Sequence, residues 1–247
     1  QSLGIWTGIN QQIPPLLTHQ LAAGFIFKQN NFFIDIEGYF KKMNGVAELI
    51  SPQPQIREHL QELQDLDVLL GNGIVNGADI LARYESNNFN TQVSYTLSKA
   101  TNQIPGIFNG RSYPSIQDRT HQFKMLNTLK YNNWQLSTNH NFATGLPFFT
   151  GKIETDRRLN ELLKTDAIRR LPNYIRHDLG INYQLILGSI KSQIRLDIVN
   201  LFNRQNTNNI QYLSTVRDTR SPNNIIITGT STNMLNRTFN LGLYFEY

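Results

Sequence analysis

Apolar and polar residues take turns along this chain in blocks of roughly ten, and a period of two admits little except β-strands. Phe32, Ile34, Ile36, Gly38 and Phe40 share one side of a block, and Asp35, Glu37 and Lys41 take the other. Phe89, Thr91, Val93, Tyr95 and Leu97 oppose Asn90, Gln92, Ser94, Thr96 and Ser98. Ile190, Ile194, Leu196 and Ile198 oppose Lys191, Gln193, Arg195 and Asp197. The last block sets Phe239, Leu241, Leu243, Phe245 and Tyr247 against Thr238, Asn240, Gly242 and Glu246.

The connections alternate between short and long. Gln29-Asn30, Asn87-Asn88, Asn132-Asn133 and Leu187-Gly188 read as hairpin turns. Long connections run roughly over 43–72, 100–117, 147–172 and 204–234. About nine strands follow, starting near residues 18, 31, 74, 89, 118, 134, 174, 189 and 235. The eighth is expected to continue past Asn203 to about Asp218 as a tall strand. Strands of about ten residues, with short turns at one end and long loops at the other, are what outer-membrane barrels show. Two loop stretches carry a rough helical stripe. One follows Pro54, with Ile56, Leu60, Leu63 and Leu70; the other lies near Thr155 to Arg170, with Leu159, Leu162 and Leu163. Each reads as a surface helix on a long loop, or as a lid or a contact for a partner lipoprotein.

Composition narrows the choice. No stretch approaches the ~18 apolar residues of a membrane helix. The mean hydropathy of −0.38 fits a barrel as well as a soluble protein, because alternate strand residues face a polar lumen. With no cysteine among 247 residues there is no disulfide framework and no thiolate metal site. The net charge of +5 is scattered, without the basic run of a nucleic-acid arm, so no nucleic-acid partner is expected. The sequence starts at Gln1, without a signal peptide, and is expected to be a mature product, a processed piece or part of a longer chain.

From residue 73 onward the pattern becomes specific. Asp197-Ile-Val-Asn-Leu-Phe-Asn-Arg-Gln-Asn206 resembles the penultimate-strand signature of TonB-dependent receptors. Ser94-Tyr-Thr-Leu-Ser-Lys99 and Gly73-Ile-Val-Asn-Gly-Ala-Asp79 are similar to two earlier strands of that family, with Asp79 where Glu is usual. Asp118-Arg-Thr-His121, Ala143-Thr-Gly-Leu-Pro147 and Arg170-Leu-Pro-Asn-Tyr-Ile-Arg-His-Asp178 complete the set in order. The Asn-rich loops resemble receptors of the Bacteroidota type. The terminal strand, with Phe239, Leu241, Leu243, Phe245 and Tyr247, resembles the signal read by the barrel-insertion machinery.

The resemblance implies an all-β fold, with residues 1–247 as the C-terminal part of a transmembrane barrel in the bacterial outer membrane. About nine strands would belong to a barrel of about 22. The plug domain, the TonB box and the earlier strands are absent from this sequence. An open edge in lipid leaves backbone groups unsatisfied, so missing sequence, another chain or absent parts must complete the barrel. The implied function is wall and loops for active nutrient uptake. The implied partners are outer-membrane lipid and lipopolysaccharide, the remaining strands and plug, the TonB complex through the missing N-terminal region, and a surface lipoprotein.

Reaction chemistry is not expected. His19, His59, His121, His140 and His177 form no metal-helix spacing, and neither metal nor cofactor is called for. His121 and His177, beside Arg119 and Asp178, read as rim hydrogen-bonding groups. Asp35, Glu37, Asp79, Glu85 and Asp197 fall on lumen faces without a glycosidase pair, and no nucleophile elbow appears. Trp134, Tyr131, Phe89, Tyr84, Phe27 and Tyr183 gather near short turns, where an interfacial girdle belongs. Phe108, Arg111, Tyr113, Phe148 and Phe149 are the loop residues expected to meet a substrate. Two rivals remain: a passive porin or structural barrel, and a soluble β-sandwich adhesin.

Overall fold

The structure, a computed structural model, describes residues 14–50, 67–149, 168–187, 190–217 and 225–246. Nine strands lie in one sheet in chain order: β1 (Leu17–Gln29), β2 (Phe32–Ile50), β3 (Asp67–Glu85), β4 (Phe89–Gln103), β6 (His121–Tyr131), β7 (Trp134–Ala143), β10 (Tyr174–Leu187), β11 (Ile190–Val199) and β14 (Thr238–Glu246). The two-residue β5 (Tyr113–Pro114) pairs with β4. Two further hairpins stand apart: β8 (Pro147–Phe149) with β9 (Ile168–Arg170), and β12 (Thr207–Arg217) with β13 (Ile225–Asn233). Among the described residues the long strands of the main sheet join one ladder, where a sandwich divides its strands between two sheets.

Two compact units divide the chain. One holds the described residues of 1–23, 38–77 and 98–118; the other those of 24–37, 78–97 and 119–247. In the second unit the short turns sit side by side. Asn30 and Asn132 turn the chain at φ 49° and 50°, in the left-handed region that Asn tolerates better than most residues. Glu85 N donates to Asn31 O, Lys130 N to Asn88 O, and Gln184 N to Asn133 O. Each turn is thus tied to the next strand.

Strand register carries residue parity across the sheet. From β4 to β14 one row reads Thr91, Asn127, Thr138, Leu179, Ile198 and Phe239. The row one step nearer the turns reads Phe89, Leu129, Leu136, Ile181, Leu196 and Leu241. Rows of the opposite parity are polar: Thr128, Ser137, Gly180, Asp197 and Asn240, or Ser94, Lys124, Asn141 and Arg176. Among the described residues nothing covers the apolar side. Phe25 is 64% exposed, Phe239 61% and Leu241 71%. Near the turns the apolar side ends in rings. Phe32 and Tyr84 lie 4.8 Å apart, Tyr84 and Phe89 6.4 Å, and Trp134 and Tyr183 4.5 Å. That is the aromatic girdle expected at a membrane interface.

In the first unit, Ile104 and Tyr113 are buried, at 0% and 2% exposure. Gly71 admits the Gln103–Ile104 backbone, since a Cβ there would stand 2.3 Å from Gln103 O. The Tyr113 hydroxyl donates to Glu48 Oε2. Burial, followed by that hydrogen bond and the Glu48 charge, pushes the hydroxyl well above its ordinary pKa.

Four expectations change. The eighth strand stops at Val199, and β12 is a separate hairpin strand. At the break Asn200 and Asn203 take φ of 56° and 51°, held there in part by Asp178, and strand geometry cannot continue through them. Leu70 belongs to β3 rather than to a helical stripe, and Ile168–Arg170 form β9. The rest of both stripes, 51–66 and 150–167, lies outside the described residues. The first long connection is shorter than 43–72, because β2 runs to Ile50 and β3 starts at Asp67.

The register generates a test. In the full-length protein, Leu241→Arg sets a charge on the apolar side beside Leu196, at a cost of ~2–4 kcal/mol if that side meets lipid near mid-bilayer. The band that shifts on heating in a denaturing gel should fall sharply for Leu241→Arg. Asn240→Arg, one residue away on the polar side, should keep it.

Candidate functional site at the polar wall and its rim

The polar side of β6, β7, β10 and β11 and the strand ends above it carry the chemistry of the second unit. Asp178 is the hub. Its Oδ2 accepts Asn139 Nδ2 at 3.0 Å and Arg176 Nε at 3.1 Å, and its Oδ1 accepts the Asn200 backbone N–H at 2.9 Å. Arg176 Nη2 completes a two-pronged pair at 3.1 Å. Buried Asn200 then caps the turn that ends β11. Its Nδ2 donates to Arg204 O at 2.9 Å, and its Oδ1 accepts Arg204 N at 3.0 Å. Asn206, also buried, pairs with both backbone groups of Ile175, at 3.0 and 2.9 Å. Asn203 Oδ1 accepts Arg237 N at 2.9 Å and so ties the turn to the chain entering β14.

The other motifs close the neighbouring loop. Thr144 N donates to His121 O at 2.9 Å, and His121 N to Thr144 Oγ1 at 3.1 Å. Arg119 Nη1 donates to Thr144 O at 3.2 Å, with its guanidinium 6.0 Å from the Tyr174 ring centre. Burial pulls the Arg119 pKa down, and Tyr174 pushes the other way. Gly145 N reaches Asn173 Oδ1 at 3.3 Å, Arg170 Nη1 reaches Gly145 O at 3.0 Å, and Leu171 N reaches Leu146 O at 2.9 Å. A Cβ on Gly145 would stand 1.6 Å from Leu171 O, so only glycine permits this approach. In the first unit, Asp118 is buried, and its Oδ1 accepts Ala100 N at 2.7 Å. The motifs that carry the resemblance are thus largely fasteners of strand ends.

Two recesses mark the polar wall. One, of about 170 Å³, is lined by Arg119, Gln122, Lys124, Asn141, Ala143 and Tyr174, with Phe142 and Met234. The other, of about 110 Å³, lies over Gly180 between Ser137, Asn182, Arg195 and Asp197. Arg195 Nε holds Asp197 Oδ2 at 2.8 Å there. A Cβ on Gly180 would come within 2.9 Å of Asp197 Oδ1, so the glycine makes room for the carboxylate.

The expected substrate residues separate. In the first unit Phe108 packs on Tyr113 at 5.1 Å and is half-buried, Tyr113 is buried, and Arg111 is exposed. In the second unit Phe148 is half-buried and pairs with Arg169, while Phe149 pairs with Ile168. Among the C-terminal residues, Phe239, Leu241, Leu243 and Phe245 line the apolar side; Tyr247 lies outside the described residues.

Sequence reasoning missed a polar seam on the apolar side. Thr91 Oγ1 donates to Asn127 Oδ1 at 2.7 Å, and Asn127 Nδ2 to Thr138 Oγ1 at 3.0 Å. His140 and His177 face each other and share a hydrogen bond of 2.7 Å between their Nδ1 atoms; Tyr95 and His121 share another of 2.7 Å. The two histidines placed at the rim are therefore fastened ring to side chain on the apolar side. The available signal was parity, since Asn127, Thr138 and His140 occupy apolar positions.

No family model matches the chain. No curated protein matches it. Solved structures do match in fold. The ferripyoverdine receptor of the outer membrane of Pseudomonas aeruginosa aligns with a TM-score of 0.61 at 11% identity, over 94% of this chain and 27% of that one. The ferric-catecholate import receptor Fiu of E. coli K12 aligns at 0.56 and 13%, over 95% and 28%. BauA, the ferric preacinetobactin receptor of Acinetobacter baumannii, aligns at 0.57 and 12%, over 94% and 30%. The fold is that of a piece of the barrel of such outer-membrane receptors. The chain spans under a third of the length of these receptors. These neighbours lend no support to the Bacteroidota type.

The rim has a measurable consequence. Gly145→Ala forces Leu171 away and removes about two hydrogen bonds worth ~1 kcal/mol each. Trypsin added to intact cells should then cut the 144–173 connection roughly tenfold faster or more. Gly38→Ala, whose Cβ would meet nothing nearer than 3.9 Å, should leave that rate unchanged.

Proposed function

We propose that this chain supplies part of the wall and loops of a TonB-dependent transporter of the bacterial outer membrane and serves active uptake of a nutrient. One observation carries the reading: a nine-strand ladder with an aromatic-edged apolar side that none of the described residues covers and a polar side rich in hydrogen-bonding groups. Such a sheet is stable where hydrocarbon meets one side and water or protein meets the other. The fold likeness to three iron-complex receptors supports the same reading. The ladder carries no reaction chemistry in this reading.

The partners follow from the two sides and the two edges. Lipid and lipopolysaccharide meet the apolar side. Further strands meet β1 and β14, which each have one strand neighbour among the described residues. A plug meets the polar side, the TonB complex acts through parts outside this chain, and a surface lipoprotein meets the long loops. Phe239, Leu241, Leu243 and Phe245 with Tyr247 serve as the insertion signal. Exposed Arg111 and half-buried Phe108 and Phe148, with Phe149, meet the substrate, and Tyr113 holds its loop against Glu48.

Planar-bilayer conductance of the full-length protein separates active from passive transport. A plugged transporter inserts without steady ion current. Steady open channels would replace this reading with that of a passive porin.

A further inference from the structure

The larger recess has a sign. Its floor is the methyl group of Ala143, the smallest side chain of a row in which Gln122 stands on one neighbouring strand and Tyr174 on the other. The next row down supplies Lys124 and Asn141, which face each other across β6 and β7. Arg119 and Met234 close the end nearest the loops. Two cations and two side-chain amides line the recess, and none of its eight lining residues is a carboxylate. The nearest acid in the register, Asp178, is committed to Arg176, Asn139 and Asn200. Among the described residues no carboxylate pairs with Lys124. Its volume of about 170 Å³ equals some five or six waters at ~30 Å³ each. That suits one small ionic group rather than a whole nutrient molecule.

We propose that this recess is an anion subsite on the lumen wall, where Lys124, backed by Arg119, holds a phosphate, sulfate or carboxylate group of the transported molecule. The proposal rests on the transporter reading and narrows its substrate to a class that carries negative charge. Lysine acts here as a compact point charge that accepts any oxyanion geometry. Gln122 and Asn141 add N–H donors at the sides, and the Tyr174 ring walls off water. Arg119 is held by Thr144 O and the Tyr174 ring, so its charge is fixed in place before a ligand arrives.

The test uses the full-length protein in detergent, with pyrophosphate as the probe and calorimetry as the readout. The wild type should bind pyrophosphate, more weakly as salt rises. Lys124→Met should weaken binding by about tenfold or more, and Lys124→Arg should restore most of it. Ala143→Leu, which fills the floor and leaves every charge in place, should also abolish binding. Each variant must keep its heat-shifted gel band, so that loss of binding is not loss of fold. Inserted protein that ignores pyrophosphate, or binds it equally well as Lys124→Met, overturns the subsite and leaves the transporter reading standing; an acidic side chain of a plug occupying the recess would give this result. Open-channel conductance in the bilayer experiment overturns the transporter reading instead.

Discussion

Every strand in this chain must satisfy its backbone hydrogen bonds through a neighbouring strand, because the apolar side leaves no room for water to do so. An N–H or C=O left unpaired in hydrocarbon costs several kcal/mol. The ladder from β1 to β14 answers that demand strand by strand. Once the ladder is fixed, each residue has only a choice of side, and the two sides meet different solvents. The sheet therefore does without the buried core of a soluble domain. Among the described residues Ile104, Tyr113, Ala143 and Leu171 are the buried apolar ones, and they sit at loop bases or strand ends rather than between layers.

Strand ends are where such a ladder is weakest, since pairing stops there and loops begin. The asparagines concentrate at this point for a physical reason. One Asn side chain offers two donors and an acceptor, and its backbone tolerates the left-handed region. Asn200 uses both properties: it turns the chain at φ 56° and bonds both Arg204 backbone groups. Asp178 plays the complementary part, accepting from three neighbours on the wall and at the rim. The long connections can vary in length and content without loosening the sheet, because their bases are stapled by side chains.

Parity and turn chemistry were legible in the sequence because both are local. The starts of β1, β4, β7 and β10 fall within a residue of expectation, since Phe89, Trp134 and Tyr174 follow turns or loop bases directly. The rings Tyr84, Phe89, Trp134 and Tyr183 lie near the turns for the same reason. What stayed hidden depends on distant partners. The end of β11 is set by Asp178 reaching Asn200 across 22 residues. The burial of Tyr113 is set by Glu48, 65 residues away. Leu70 carries a spacing that suits a helix as well as a strand, and only pairing within the sheet decides between them. The seam through Asn127 and His140 could be suspected from parity, but its closure into hydrogen-bonded pairs needs the register.

The polar wall shows how a rigid ladder makes shaped sites. Strand spacing and register cannot change, so relief comes only from side-chain size. Ala143 between Gln122 and Tyr174, and Gly180 beside Asp197, are the places where a row loses volume. Each loss opens a recess whose sign is set by the adjoining row: Lys124 beside Ala143, and the Arg195–Asp197 pair beside Gly180. In the first recess Lys124 meets no carboxylate among the described residues, and in the second Arg195 and Asp197 match each other's charge. Motion is then left to whatever fills the lumen, while the ladder and the asparagine staples keep the frame fixed.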